Sequence, residues 1–181
     1  MTPADAAAAP DIAGLDPAQA DRFVAEIAPL FEGAPGFLYR LAAARPFGSW
    51  AALFDRARAI AHVMPEPLQL ELVDAHPRLG ARPATVSAMS FREQGYDRPP
   101  AEAEDQAERP RIAEELDRLN REYEATFGFR YCVFVAGRPR SELIPELVAA
   151  LGRERESELH RALDAVVDIA RDRQRTRERA P

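Results

Sequence analysis

Apolar positions along most of this chain recur at helical rather than strand spacing. Between residues 16 and 32, Phe23, Val24, Ile27, Leu30 and Phe31 fall on one helical face. They follow an Asp16-Pro17 pair suited to an N-cap and a first helical position, and Gly33 and Pro35 end the run. A second short helix is predicted over 36–45. Ser49 can cap a third, running to His62 with Trp50, Leu53, Phe54, Ala57 and Ile60 as its buried stripe. After Pro65 and Pro67, residues 68–75 form a short helix that delivers His76 to its C-terminal end. Residues 77–86 read as loop and 87–95 as a short helix. Pro110 opens or kinks a helix with the stripe Ile112, Leu116, Leu119 and Tyr123, interrupted at Gly128. Ser141 caps a helix that turns Leu143, Ile144, Leu147, Val148 and Leu151 inward, with Gly152 as its stop. The last helix, 154–176, buries Leu159, Ala162, Leu163, Val166, Val167, Ile169 and Ala170, and its Arg-rich end reads as solvated.

Only Phe129 to Ala136, F-R-Y-C-V-F-V-A, has strand-like composition. With no second strand to pair with, it reads as an extended segment or a helix start. The expected architecture is therefore all-α, a single-domain bundle of roughly seven to nine short helices. The domain is expected over 15–176, between a flexible tail at 1–14 and a C-terminal tail at 177–181. The polar stretch 97–110, rich in Pro, Asp, Glu and Ala, is expected to be exposed.

Composition narrows the chemistry. The 181 residues carry a formal charge of −6, which argues against nucleic acid and anionic membrane as partners. No apolar run has the length of a membrane span, and Met1 to Pro10 lacks the basic start of a signal peptide. One cysteine, Cys132, excludes an internal disulfide and a Cys-based zinc cluster, and a reducing cytoplasm fits. The chain ends Arg179-Ala180-Pro181, not in a peroxisomal signal. All 24 Lys+Arg residues are arginine, which excludes a protein-lysine Schiff base, an ordinary PLP site and a Walker P-loop. His62, His76 and His160 show no metal-binding spacing, so no metal site is expected.

The candidate site is His76 to Gln94. His76 precedes a proline and therefore sits at a chain break. Ser90, Glu93 and Gln94, at i, i+3 and i+4, share one face if their segment is helical. An imidazole, a carboxylate, an amide and a hydroxyl could then converge on a small polar ligand. Plainer readings exist for each part. Ser90-x-x-Glu93 is also a capping box, and His76 a C-terminal cap on the helix dipole. Arg173 alone reads as a solvated helix residue, and Asn120, Tyr123, His62 and His160 as structural.

Four landmarks, in order, carry a resemblance to a known family. They are His76-Pro77 with Leu79-Gly80, Ser90-x-x-Glu93-Gln94, Leu119-Asn120-x-x-Tyr123-x-x-x-Phe127-Gly128-Phe129, and the closing Ile169-Ala-Arg-Asp-Arg173-Gln174. Together they resemble the 2-oxo-4-hydroxy-4-carboxy-5-ureidoimidazoline (OHCU) decarboxylases of urate breakdown, over roughly residues 15–175. The resemblance implies an all-helical, usually dimeric protein that uses no metal or organic cofactor and releases (S)-allantoin and carbon dioxide. It implies His76 as the catalytic acid; on the residues' own chemistry His76 is expected as acid/base, with Glu93 orienting or charging the imidazole or crowding the substrate carboxylate. The resemblance implies substrate contacts from Pro77, from Ser90, Phe91, Arg92, Glu93 and Gln94, from Tyr131, Cys132, Val133, Phe134 and Val135, and from Arg173. Asp172 and Gln174 replace leucines that usually flank the closing arginine, so Arg171 and Arg175 are alternative positions for it.

Decarboxylation without a cofactor needs a place for the electrons that carbon dioxide leaves behind and a proton delivered to one face. OHCU carries a conjugated ring beside the bond that breaks and can be its own electron sink. In this reading Gln94 and Ser90 bind ureido or ring groups, Arg173 pairs with an anionic oxygen, and backbone N–H groups of 131–135 hold the ring carbonyl. A cofactor-free lyase acting on a related ureide and a non-catalytic helical interaction module are the other two readings.

Overall fold

The computed structural model describes residues 11–97 and 108–179. Most of the expected N-terminal tail and residues 98–107 of the 97–110 stretch lie outside them. Nine α-helices and no strand occur among the described residues, in agreement with an all-α domain. They are α1 (Ile12–Leu15), α2 (Ala20–Ile27), α3 (Pro35–Ala43), α4 (Trp50–Val63), α5 (Glu66–Asp74), α6 (Ala88–Glu93), α7 (Arg109–Phe127), α8 (Arg140–Ala150) and α9 (Arg155–Arg179). A 3₁₀ turn, Ala28–Phe31, extends α2, and another covers Pro83–Thr85.

The helix α9 organises the rest. Its 25 residues extend about 37 Å at 1.5 Å per residue, and it packs against α4, α5 and the first 3₁₀ turn. Helix α3 joins α2 to α4 and α5, and α7 lies along α8. Phe23, Phe31, Phe37, Phe54, Tyr123 and Phe129 are among the largest fully buried side chains.

Ser49 caps α4 as expected, accepting from the Ala52 amide at 3.1 Å. Pro110 stands in the first turn of α7, and Gly128 ends that helix at φ +81°. Two expected caps differ. Asp16 does not open α2; its carboxylate accepts from the Phe47 and Gly48 amides at 3.0 and 2.8 Å. Two loop amides with no other partner outcompete a local cap. Helix α8 starts at Arg140, behind Pro139 and without a side-chain cap, so Ser141 lies inside it. Helical order begins at Ile12, whose side chain is buried, ahead of the expected boundary at 15. The Arg-rich end of α9 is not uniformly solvated, because Arg173 and Gln174 are buried. Helices α7 and α9 are the two long elements, and α9 runs three residues past its expected end at 176.

The segment 129–135 is extended and pairs with no strand among the described residues. It is held by side chains instead. Arg161 donates from Nη1 to the Cys132 carbonyl at 2.9 Å, and its guanidinium lies 4.9 Å over the Tyr131 ring. Its Nε donates at 2.7 Å to Glu158, which is fully buried. The other Arg161–Glu158 contact, from Nη2 at 2.7 Å, is an ion pair without hydrogen-bond geometry. Glu158 also accepts from the Tyr123 hydroxyl at 2.8 Å and from Arg153 at 3.0 Å.

Candidate active site

Helix α5 ends two residues before His76, with Ala75 as its C-cap. The loop that follows is pinned from several sides. Arg130 donates to the carbonyls of Asp74 and His76 at 2.6 and 3.1 Å. Asn120 donates to the Leu79 carbonyl at 2.9 Å. Gln94 accepts from the Gly80 amide at 2.8 Å and donates to the Arg78 carbonyl at 3.2 Å. Gly80 has φ +79°, and an added Cβ would stand 3.0 Å from Leu116, so the turn suits glycine alone. His76 is thus fixed by both neighbouring helices and by the extended segment.

A cavity of about 370 Å³ opens here, lined from four parts of the chain. His76, Pro77 and Leu79 come from the loop after α5. Met89, Ser90, Arg92, Glu93 and Gln94 come from α6 and its C-cap. Tyr131, Cys132, Val133, Phe134 and Val135 form the extended wall, continued by Ala136 and Gly137. Ile169, Asp172, Arg173 and Thr176 project from α9. Of the residues expected at the site, only Phe91 is missing from this lining; its ring packs 5.3 Å from that of Tyr96.

The partners inside the site differ from those expected. His76 is 3% exposed. Its Nδ1 lies 3.2 Å from the Leu72 carbonyl, which can only accept, so Nδ1 carries the proton of the neutral ring. The Nε2 atom is buried without a partner. Burial, aided by Arg173 and opposed by Glu32, lowers the imidazole pKa to about 4, not the 6.5 of a free side chain. Glu93 does not orient His76. Both its oxygens accept from Arg173, from Nε at 2.5 Å and from Nη2 at 2.8 Å. Arg173 is 2% exposed and has no uncommitted edge, since Nη1 donates to the Pro29 and Leu30 carbonyls at 3.0 and 3.3 Å.

Ser90 is released from capping because Ser87 does that work, accepting from the Ser90 amide at 3.1 Å. The Ser90 hydroxyl donates to Glu32 at 2.7 Å and accepts from Arg173 at 3.0 Å. Gln94 spends its Oε1 and one Nε2 hydrogen on the loop. Burial pushes the Cys132 thiol up to about 12, so it is not a nucleophile at neutral pH. The rival arginines lie elsewhere: Arg171 contacts Asp55 at 3.3 Å and the Phe54 ring at 5.6 Å, and Arg175 is exposed. His62 and His160 stack 4.6 Å apart, outside the cavity lining.

The sequence reading passed over Glu32. Its carboxylate accepts from Ser87, Ser90 and Arg173 at 2.7, 2.7 and 2.8 Å. It sits at φ 54°, a left-handed conformation unusual for glutamate. The interaction with Arg173 and the hydroxyl hydrogen bonds hold its carboxyl below the usual range, against the opposing effect of burial. One sequence signal was available: a carboxylate wedged between buried Phe31 and Gly33 where the chain must turn. Asp172 and Thr176 were also missed as lining residues, although both lie on the face of α9 that carries Ile169 and Arg173.

The family model for OHCU decarboxylase matches residues 16–175. The chain belongs to the OHCU decarboxylase family. It is 30% identical over 151 residues to the 2-oxo-4-hydroxy-4-carboxy-5-ureidoimidazoline decarboxylase of Haloferax volcanii, covering 83% of this chain and 85% of that protein. It is 35% identical over 144 residues, 80% of its length, to the uric acid degradation bifunctional protein PucL of Bacillus subtilis. The chain spans 28% of PucL and 30% of a second such bifunctional protein, from Bacillus sp. TB-90. Among solved structures, an OHCU decarboxylase crystallised in the presence of (S)-allantoin shares the fold of this family member, with a TM-score of 0.62 at 21% identity. That match covers 86% of this chain and 98% of the other.

Proposed function

We propose that this protein decarboxylates OHCU to (S)-allantoin and carbon dioxide, with His76 as the proton carrier. The observation that carries this reading is the buried, unpartnered Nε2 of His76 on a ligand-sized cavity of a member of this family. A buried polar atom without a protein partner calls for an explanation, and its place on the cavity makes a ligand contact the natural one.

The substrate's name fixes its bonds: C4 carries both hydroxyl and carboxylate, C2 is a carbonyl, and the remaining ring double bond is C5=N1. Breaking the C4–carboxylate bond releases carbon dioxide. Its electron pair forms C4=C5 and moves the C=N pair onto N1. Neutral His76 then takes the enol proton through Nε2 and returns it to C5, leaving C4 as a carbonyl. N1 takes one proton from solvent, and the imidazole ends neutral, as it began. A depressed pKa suits this cycle, because the resting ring must be an acceptor and the imidazolium a ready donor. Delivery to one face of C5 sets the hand of allantoin. Amides of the 131–135 wall are suited to ring carbonyls.

The absence of any metal or organic cofactor, a homodimeric state and a cytoplasmic location belong to the same reading. Support comes from the family and, for location, from the lone cysteine. Light scattering reads the oligomer. The central test is an assay started from urate, with circular dichroism reporting the hand of allantoin. Wild-type protein is expected to accelerate (S)-allantoin formation, and His76→Asn to lose about a hundredfold or more. Full-rate, stereospecific turnover by His76→Asn would refute the assignment.

A further inference from the structure

We propose that Glu32 is the resident counter-ion of Arg173, a positioning residue, and that Glu93 is the exchangeable one, released from Arg173 when an anionic substrate arrives. The identity of that substrate rests on the decarboxylase reading; the ranking of the two carboxylates does not.

The donors on each carboxylate rank them. Glu32 Oε1 receives three groups, the Ser87 and Ser90 hydroxyls and Arg173 Nη2. Both Glu93 oxygens depend on Arg173 alone. The Glu32 side chain is 14% exposed and outside the cavity lining, whereas that of Glu93 is 22% exposed and on it. Glu32 is also fixed through its backbone, whose left-handed turn is closed by its amide donating to the Ala28 carbonyl. Such a turn is costly for a residue with a Cβ and persists where its surroundings hold it.

Arg173 is over-subscribed. Its Nη2 has two hydrogens but three acceptors within 3.0 Å: Glu32, Ser90 and Glu93. One is therefore poorly served at any moment. Two carboxylates face one guanidinium, and a substrate carboxylate would make a third negative group beside an arginine that is itself buried. Exchange removes that conflict. If Glu93 leaves, the Nε and Nη2 edge it occupied becomes available to the substrate in the same forked geometry. Glu32 keeps part of the guanidinium charge neutralised, so the incoming carboxylate is held less firmly than by a free arginine. That favours its departure as carbon dioxide, since ground-state binding is not over-tightened. The freed Glu93 stays on the cavity wall that it shares with His76.

The test compares wild type, Glu32→Gln, Glu32→Asp and Glu93→Gln. Without ligand at neutral pH, Glu32→Gln is expected to lower Tm more than Glu93→Gln does; the reverse order would overturn the proposal. In turnover, Glu32→Gln leaves the guanidinium charge less neutralised, so a substrate carboxylate that displaces Glu93 is held too firmly to depart readily. The expected result is a kcat loss of about tenfold or more with KM within about threefold. Glu32→Asp keeps the charge and is expected to hold kcat within about threefold of wild type. Wild-type kcat in Glu32→Gln, or an Asp variant as impaired as the Gln variant, would sink the inference. No turnover by wild type would remove the decarboxylase reading alone, leaving the resident role to be judged on the Tm order.

Discussion

Replacing Arg161 with methionine tests how the extended wall is held. The variant keeps an apolar stem beside Tyr131 but removes the hydrogen bond to the Cys132 carbonyl, the bond and ion pair to Glu158, and the cation–π contact. Arg161 is 27% exposed, so each charge-assisted bond is taken at the low end of its range, about 1.5 kcal/mol. Two such bonds give about 3 kcal/mol, and the ring contact adds about 0.5 kcal/mol. Arg153, already 3.0 Å from Glu158, offsets part of this. The expected net loss is about 3 kcal/mol, or roughly 6–12 °C in Tm for a domain of this size. Calorimetry at neutral pH measures it. Hydrogen exchange should show faster exchange at the amides of 132–135, because the Cys132 carbonyl that fixes that backbone is no longer held. A double variant, Arg161→Met with Glu158→Gln, removes the buried charge with its partner while keeping an acceptor for the Tyr123 hydroxyl, and should recover much of the loss. A single-variant loss below about 1 kcal/mol, or a double variant less stable than the single, would refute this account of the wall.

Acid should destabilise the protein first through His76. Its folded pKa, lowered to about 4, lies below the unfolded value of about 6.5, so the unfolded chain binds the extra proton. Stability should be full above about pH 6.5 and fall by about 3 kcal/mol towards pH 4; His76→Asn should flatten that slope in pH-dependent urea melts. The Glu32 contribution runs on a lower window, present above the ordinary glutamate range and lost as pH falls through its depressed folded value, so Glu32→Gln should soften the final acid transition. Gly80→Ala combines a positive φ with a Cβ 3.0 Å from Leu116 and should cost about 1–3 kcal/mol in denaturant unfolding. An unchanged midpoint there would mean that the loop after His76 is not held as described.

The helices were legible because their signals are local. Ser49 capping α4, Pro110 opening α7 and the Gly128 stop each depend on neighbours within a turn, and each is found as expected. Asp16 and Ser141 look equally good by the same criterion, yet neither opens a helix as its N-cap. For Asp16 the deciding partners are amides 31 and 32 residues away. The Phe129–Val135 segment shows the same division. Its composition announced an extended, buried stretch, but nothing local announced that Arg161, 29 residues beyond Cys132, would stand in for a neighbouring strand.

The candidate site divides along the same line, with membership legible and partnership not. The ordered landmarks brought His76, the α6 residues and Arg173 to one cavity, although Arg173 lies in a stretch that charge alone assigns to solvent. Who pairs with whom is set across 80 residues for Glu93 and 141 for Glu32, both from the same guanidinium. Spacing on α6 placed Ser90, Glu93 and Gln94 together, and the natural expectation was that the acid would serve the imidazole. A buried arginine is the stronger claimant, because leaving a guanidinium unmatched costs far more than leaving a neutral imidazole without an acid. That inequality also accounts for Glu32. Once Arg173 is buried at the end of the 3₁₀ turn, whichever carboxylate remains when Glu93 moves must already be in place. The left-handed turn at Glu32 is where the chain supplies it.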